Sequence, residues 1–222
     1  MSDQDDILIY FLDEFGNPTD VYIPSVEQID HYRGILPDTI LRFWRHCGWS
    51  GFKDGMFWMV DPARYKNILT RWIAATPYLV EAEELYVLAR NAFGHLYVWH
   101  QRKGYCFTID PNDHWLIPGP AQTLLCPEKL EQYGEIFFAC FDVAEVDQED
   151  RNGNPMFQQA FTKLGPLARD EMYAFVPPIT AGGKMLLDNL QKANVEECLS
   201  ELVELQPGEI LGARGYAGVC CS

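Results

Sequence analysis

A chain of 222 residues that is 48% hydrophobic and 14% aromatic can bury a substantial core, which excludes a disordered polymer and suits one large domain or two small ones packed together. Its formal charge of −15 denies it the basic face that displaces counterions from phosphate, so direct binding of DNA or RNA is disfavoured. No apolar run is long enough to span a bilayer, and the acidic start MSDQDDILIY lacks the basic region of a signal peptide, so a cytoplasmic product is expected.

The first predicted element is a short helix over Asp6 to Phe15, with Leu8, Phe11, Leu12 and Phe15 at helical spacing before Gly16-Asn17-Pro18. Tyr22 to Pro24 reads as extended, and Ser25 with Gln28 forms an S-x-x-Q capping box for a helix through Tyr32. Residues 36 to 73 then place helix, hairpin and helix signals in succession, and the rest of the chain is organised around them. Pro37 lies in the opening turn of the first helix, Ile40, Leu41, Trp44 and Cys47 form its apolar face, and Gly48 is a left-handed stop. Asp54-Gly55 joins the aromatic runs Trp49 to Phe52 and Met56 to Val60 as a tight hairpin turn. The second helix opens with Asp61 as N-cap and Pro62 at its first position, and it presents Tyr65, Ile68, Leu69 and Trp72 on one face.

Strands follow at Leu85 to Asn91, His95 to His100, Tyr105 to Asp110 and His114 to Ile117, separated by Gly94, Arg102-Lys103-Gly104 and Pro111-Asn112-Asp113. With the first hairpin they make an antiparallel meander sheet of about five or six strands. Pro118 to Pro127 is the internal boundary signal, dividing the chain into 1–120 and 121–222, two segments expected to pack as one compact unit. Beyond it, a helix from Pro127 to Phe141 turns Leu130, Tyr133, Phe137, Cys140 and Phe141 toward the sheet. The acidic loop Asp142 to Pro155 contains Asn152-Gly153-Asn154. Phe157, Ala160, Phe161 and Leu164 form the next helical stripe, closed by Gly165-Pro166. Met172 to Val176 reads as a strand, Gly182-Gly183 as a turn, and Val195 to Val203 as a last helix with Cys198, Leu199 and Leu202 inward, ended by Pro207. The fold class is α+β: a meander sheet packed by helices from both the N- and C-terminal segments.

Chemistry-bearing patterns are sparse. No serine stands in G-x-S-x-G, and Ser50-Gly51-Phe52-Lys53 has S-x-x-K spacing but leads into a hairpin, not a helical turn. His46 and Cys47 are helix neighbours that diverge, and His95 and His100 fall on opposite faces of one strand. Asp110, Asp113 and His114 could gather around a cation, yet Pro-Asn-Asp is ordinary turn chemistry. The cysteines are scattered without C-x-x-C spacing and read as small buried hydrophobes, except Cys220-Cys221 in the glycine-rich tail, where Gly212, Gly215 and Gly218 recur. No phosphate-cradling motif, metal site or cofactor site emerges, and no catalytic residue is assigned. Acidic runs before Arg33, from Asp142 to Asp150 and from Glu196 to Glu209 serve solubility, or one of them docks a basic partner.

Two stretches carry a family resemblance. Tyr32 through Asp110, with LPDT, FWR, GW and DG followed by AFG and LYVWH, resembles the GAD-like domain. Phe157 to Gly183, with LGPL, DEMY and a GG turn, and the following NLQKANVEECLSEL resemble the C-terminal domain of Tdi-type immunity proteins of type VI secretion systems. The resemblance implies a non-enzymatic immunity protein that binds a cognate toxin, in the best-known case a DNase effector, and blocks its active site or DNA cleft. A basic cleft built for phosphate accepts an acidic partner, and steered association suits an inhibitor that must act quickly. Asp142, Glu145, Asp147, Glu149 and Asp150 are the candidate toxin-binding residues, because a Gly/Asn-containing acidic loop between packed helices can reach into a groove. The alternative from another class is a small-molecule-binding or enzymatic domain with its pocket between the sheet and the C-terminal helices, using Asp170, Glu171 or Lys184; a third is a structural adaptor.

Overall fold

The computed structural model describes residues 3–120 and 123–212, with side chains from Asp6 onward at the N-terminal end. Helix α1 (Asp3–Phe15) buries Phe11 and Phe15 as its spacing predicts. A reciprocal capping box between Ser25 and Gln28 starts α2 (Val26–Asp30), which ends two residues short of Tyr32. Helix α3 (Asp38–Cys47) has Pro37 at the N-cap itself, where it offers no side-chain acceptor. Glu131 supplies the missing cap from 92 residues or more away: its carboxylate accepts from Asp38 N at 2.7 Å and from Thr39 N at 3.2 Å. A carboxylate on the positive end of a helix satisfies orphan amides and complements the dipole together.

Gly48 ends α3 at φ 70° and ψ −167°, a glycine-favoured conformation outside the left-handed helical well. A Cβ at that position would collide with the Tyr22 carbonyl, which accepts from Trp49 N at 2.9 Å. The following hairpin joins β1 (Gly51–Phe52) to β2 (Phe57–Met59), with Phe52 opposite Phe57. Its connection is a single-turn 3-10 segment over Lys53–Gly55 rather than the tight two-residue turn read from Asp54-Gly55. Helix α4 (Pro62–Trp72) has the expected Asp61 cap, N-terminal proline and buried face of Tyr65, Ile68, Leu69 and Trp72.

A 3-10 segment, Pro77–Glu84, leads into β3 (Leu85–Asn91), β4 (Leu96–His100), β5 (Gly104–Asp110) and β6 (Trp115–Pro118). The second segment contributes α5 (Pro127–Ala139), α6 (Val143–Val146), α7 (Phe157–Leu164), β7 (Glu171–Phe175), β8 (Leu190–Asn194), α8 (Val195–Leu205) and β9 (Glu209–Ile210). The main sheet is seven-stranded in the order β1-β2-β3-β4-β5-β6-β9. It exceeds the predicted five or six strands because β9 returns from the far end of the chain and adds parallel to β6, so the sheet is not wholly antiparallel. Strands β7 and β8 form a separate two-stranded ladder.

One continuous apolar cluster runs from Phe11 to Val203. Helix α5 lies where α1, α3 and the sheet converge: the Phe43 and Phe138 rings stack at 3.6 Å, and Phe137 meets Trp99 edge-on at 5.8 Å. Phe138, not Cys140, completes the buried face of α5; Cys140 and Cys126 are exposed, against the expectation of buried thiols, while Cys47 and Cys106 are buried as expected. Cys220-Cys221, Gly215 and Gly218 lie outside the described residues.

The two segments also meet through a buried guanidinium. Arg90 on β3 is fully buried. It donates from Nη2 to Arg169 O at 2.8 Å and Glu171 O at 3.0 Å, and from Nη1 to Asn91 O at 3.2 Å. Its planar end lies 4.9 Å from the Trp58 ring centroid. Tyr173 N donates to Ala92 O at 2.9 Å beside it, and Gly94 gives Met172 room that a Cβ, 2.6 Å from Met172 Cε, would take away. Arg90→Leu removes three hydrogen bonds and leaves interior carbonyls unpaired, a loss of ~3 kcal/mol that lowers the thermal midpoint by about 6–12 °C in a chain of this size. Tryptophan fluorescence, which reports only residues before 120, and far-UV circular dichroism should trace one coincident transition in both proteins; two separated transitions would show that the segments fold independently.

Candidate functional site

The acidic loop begins where Asp142 caps α6, accepting from Ala144 N at 2.7 Å. Val146, buried at the end of α6, is held to the sheet: Asn91 Nδ2 donates to its carbonyl at 2.9 Å. Asn91 Oδ1 accepts from Phe93 N and His95 N, each at 2.9 Å, so one side chain fixes the β3–β4 turn and the loop together. Asp147 turns inward and accepts from Gln148 N at 2.7 Å and Phe157 N at 2.9 Å, which caps the start of α7. Burial pushes its carboxyl above the usual range, against the opposing pull of those amides.

From Gln148 to Met156 the chain doubles back. Met156 N donates to Gln148 O at 2.8 Å, Glu149 bridges Pro155, and Asp150 N donates to Asn154 O at 2.9 Å. Asp150 Oδ1 gathers the turn by accepting from Asn152 N at 2.7 Å and Asn154 N at 2.9 Å, with the Asn154 amide group on Oδ2 at 3.0 Å. These donors, the Asn154 side chain first, hold its carboxyl below the usual range. The five predicted residues therefore share one segment but not one task. Asp142, Asp147 and Asp150 shape the loop, while Glu145 and Glu149 are exposed and make no side-chain bond to a described residue. Asn91, Gln148 and Met156 support the loop and were not singled out; the Asn91 contact spans 55 positions, beyond the reach of any local pattern.

Charge pairing is uneven along the acidic runs: among the described residues Asp13, Glu14, Glu27, Glu197 and Glu201 have no cation within 4.0 Å. In the run from Glu196, Glu196 pairs with Arg64, and Glu204 pairs with Arg71 at 2.9 Å, both on the neighbouring α4. In the N-terminal run, Asp20 pairs with Arg169 at 2.9 Å and Asp30 with Arg33 at 2.5 Å. Among the described residues, no lysine, arginine or histidine lies within 4.0 Å of a carboxylate of Asp142, Glu145, Asp147, Glu149 or Asp150.

The other patterns resolve into structure. Buried Ser50 donates to Cys47 O at 2.6 Å and accepts from Tyr22 N at 3.2 Å, an anchor for the entering chain. His46 Nδ1 sits 2.9 Å from Arg42 O on its own helix. Asp110 accepts from Asn112 N at 2.9 Å as a turn residue and lies 3.0 Å from His95 Nε2, while His114 Nδ1 is 2.7 Å from Gln206 O. His100 is buried separately, and burial pulls the imidazoles of His100 and His114 below their ordinary value. Glu171 accepts from Ala168 N at 2.9 Å and Lys192 Nζ at 3.1 Å. The Lys184 carbonyl, not its ammonium, is engaged, accepting from Leu186 N at 2.8 Å. A cleft lined by the neighbouring Arg169 has none of Asp170, Glu171 and Lys184 in its lining. No cluster of three or more His, Cys, Asp or Glu with metal-binding geometry occurs among the described residues, and no described helix is long and apolar enough to cross a membrane.

Residues 6–112 match the GAD-like domain, and residues 132–206 match the family described as T6SS immunity protein Tdi1, C-terminal. No curated protein matches the chain. Among solved structures, the crystal structure of Atu4351 from Agrobacterium tumefaciens superposes with a TM-score of 0.82 over 90% of each chain at 22% identity, a likeness of fold.

The loop geometry has an acid limit. The folded-state Asp150 carboxyl lies below its ordinary value of 3.8, so its contribution is present above that value and is lost as pH falls through the lower, folded one. Asp150→Ala should accelerate amide exchange at Asn152 and Asn154 about tenfold near neutral pH while leaving sheet amides unchanged. Equal exchange in both proteins would show that the turn holds without this carboxylate.

Proposed function

The chain is a GAD-like domain followed by a C-terminal domain of the T6SS immunity protein Tdi1 family, and from that premise we propose that it neutralises a basic nuclease toxin, a DNase above all, by seating the loop 142–155 in the cleft that receives nucleic acid. The family match supports the immunity role. The observation that carries the finer reading is that all five candidate carboxylates of this loop lack a described cationic partner, whereas the other two runs each pair part of their acids.

The proposed mechanism is occlusion without catalysis. Asp142, Asp147 and Asp150 hold the loop in form before it meets its partner, so little conformational entropy is lost on docking. Glu145 and Glu149 then present carboxylates where phosphates would lie, and the net charge of −15 steers encounter with a basic surface. Their hydrogen bonds and charge-assisted contacts replace those the toxin makes to its substrate.

Charge reversal at the two exposed positions tests this directly. Glu145→Lys with Glu149→Lys should leave the thermal midpoint within a few degrees, because neither side chain is bonded within the fold. It should slow association with the toxin about tenfold or more at low salt and flatten the salt dependence of the rate. A toxin that is bound and inhibited as fast by this variant as by the natural protein would remove the loop from the contact surface.

A further inference from the structure

A concave site distinct from the acidic loop lies where the first turn of α4, the end of β2 and the extended segment around Tyr22 face Arg169. The cleft encloses about 240 Å³ and is lined by Tyr22, Trp49, Met59, Asp61, Arg64 and Arg169 together with Val60, Gln28 and Tyr65. Arg169 comes from the second matched segment and the others from the first, so the cleft spans the junction of the two. We propose that it binds a small aromatic carboxylate, a ligand-binding function independent of the immunity reading.

The walls favour a flat body. Tyr22 and Trp49 stack at 5.9 Å with planes 11° apart, and Trp44 braces Trp49 edge-on at 5.6 Å. Met59 and Val60 add apolar surface at the end of β2. A cavity of about 150 Å³ admits benzene, whereas drug-sized sites run to roughly 300–1,000 Å³. A volume of 240 Å³ therefore accommodates one ring with a short polar arm and is too small for a nucleotide.

The unmet polar groups are donors. Trp49 Nε1 and Arg169 Nε are buried and have no acceptor. Arg169 uses Nη2 on the Asp20 carboxylate at 2.9 Å and the Asp20 carbonyl at 2.7 Å, with its guanidinium 5.0 Å from the Tyr22 ring centroid. Arg64 uses Nε and Nη2 on Glu196, which leaves Nη1 of each arginine without an acceptor among the described residues. The two guanidiniums are thus oriented by carboxylates and retain donors, the arrangement that receives a planar carboxylate. Asp61 limits the charge of the ligand. Its Oδ1 already accepts from Tyr32 Oη at 3.2 Å and Ala63 N at 3.0 Å, so it stays in the wall and opposes a dianion such as phosphate more than a monoanion.

The test uses the full chain and four probes: phenylacetate, its neutral isostere phenylacetamide, acetate and inorganic phosphate. Phenylacetate should change tryptophan fluorescence saturably and raise the thermal midpoint, as any ligand selective for the folded state does. Phenylacetamide, acetate and phosphate should each bind at least about tenfold more weakly, because each lacks the ring, the single charge or both. Arg64→Gln, which leaves the Asp20–Arg169 tie in place, should weaken phenylacetate by a similar factor while far-UV circular dichroism stays unchanged. Equal binding of phenylacetate and phenylacetamide to the natural protein, or no saturable response to phenylacetate up to about 10 mM, would overturn the proposal whatever the variant does.

Discussion

The arrangement rests on a guanidinium that the fold removes from water without giving it a carboxylate. Burial pulls the Arg90 guanidinium below its ordinary range, and the interior compensates with carbonyl dipoles and the face of Trp58 rather than with a counter-charge. Because two of those carbonyls belong to Arg169 and Glu171, the same bonds that hold the Arg90 Nη2 group fix where the second segment begins its ladder. Every later element inherits that placement. Strand β7 reads onto Ala92, α8 follows β8 directly with Asn194 as its cap, and β9 then reaches the free edge of β6.

A second long-range tie acts at the opposite side of the molecule. Glu131 on α5 caps α3, and Gly134 lets α5 approach Pro37, whose Cβ would lie 3.1 Å from an added methyl. One carboxylate thus corrects a helix start that its own sequence leaves uncapped. The pattern recurs among the charges. Glu196 and Glu204 clamp α8 to α4, and Asp20 orients Arg169. Part of the acidity is structural, and in the loop from Asp142 to Asp150 none of the five candidate carboxylates meets a described cation.

The legible parts of the sequence were those in which local chemistry and burial agree. The Ser25–Gln28 box, the Asp61-Pro62 start and the stripe of Tyr65, Ile68, Leu69 and Trp72 each carry their reason within a few residues, and the structure reproduces them. The meander strands were legible for the same reason, from β-branched and aromatic runs punctuated by turns. What escaped was non-local. Strand β9 is two residues long and exists because β6 offers an open edge. Cys140 fits the apolar period of α5, yet helix α5 ends at Ala139 and Phe138 takes the inward place. For the site, the sequence located the acidic segment but could not divide it into carboxylates that build the loop and carboxylates that face outward. The cleft at Arg169 was not legible, because Tyr22 and Trp49 arrive there from far along the chain.

A loop whose five candidate carboxylates have no described cationic partner, held to the sheet through Asn91 and Val146, is the feature on which the proposed toxin recognition rests. Hydrogen exchange of the protein alone and in complex with a cognate toxin tests that proposal most directly. The account predicts that slowed exchange concentrates in residues 142–156, with the amides of Glu145 and Glu149 among those protected. Protection confined to another face, with exchange across 142–156 unchanged in a fully formed inhibitory complex, would contradict it.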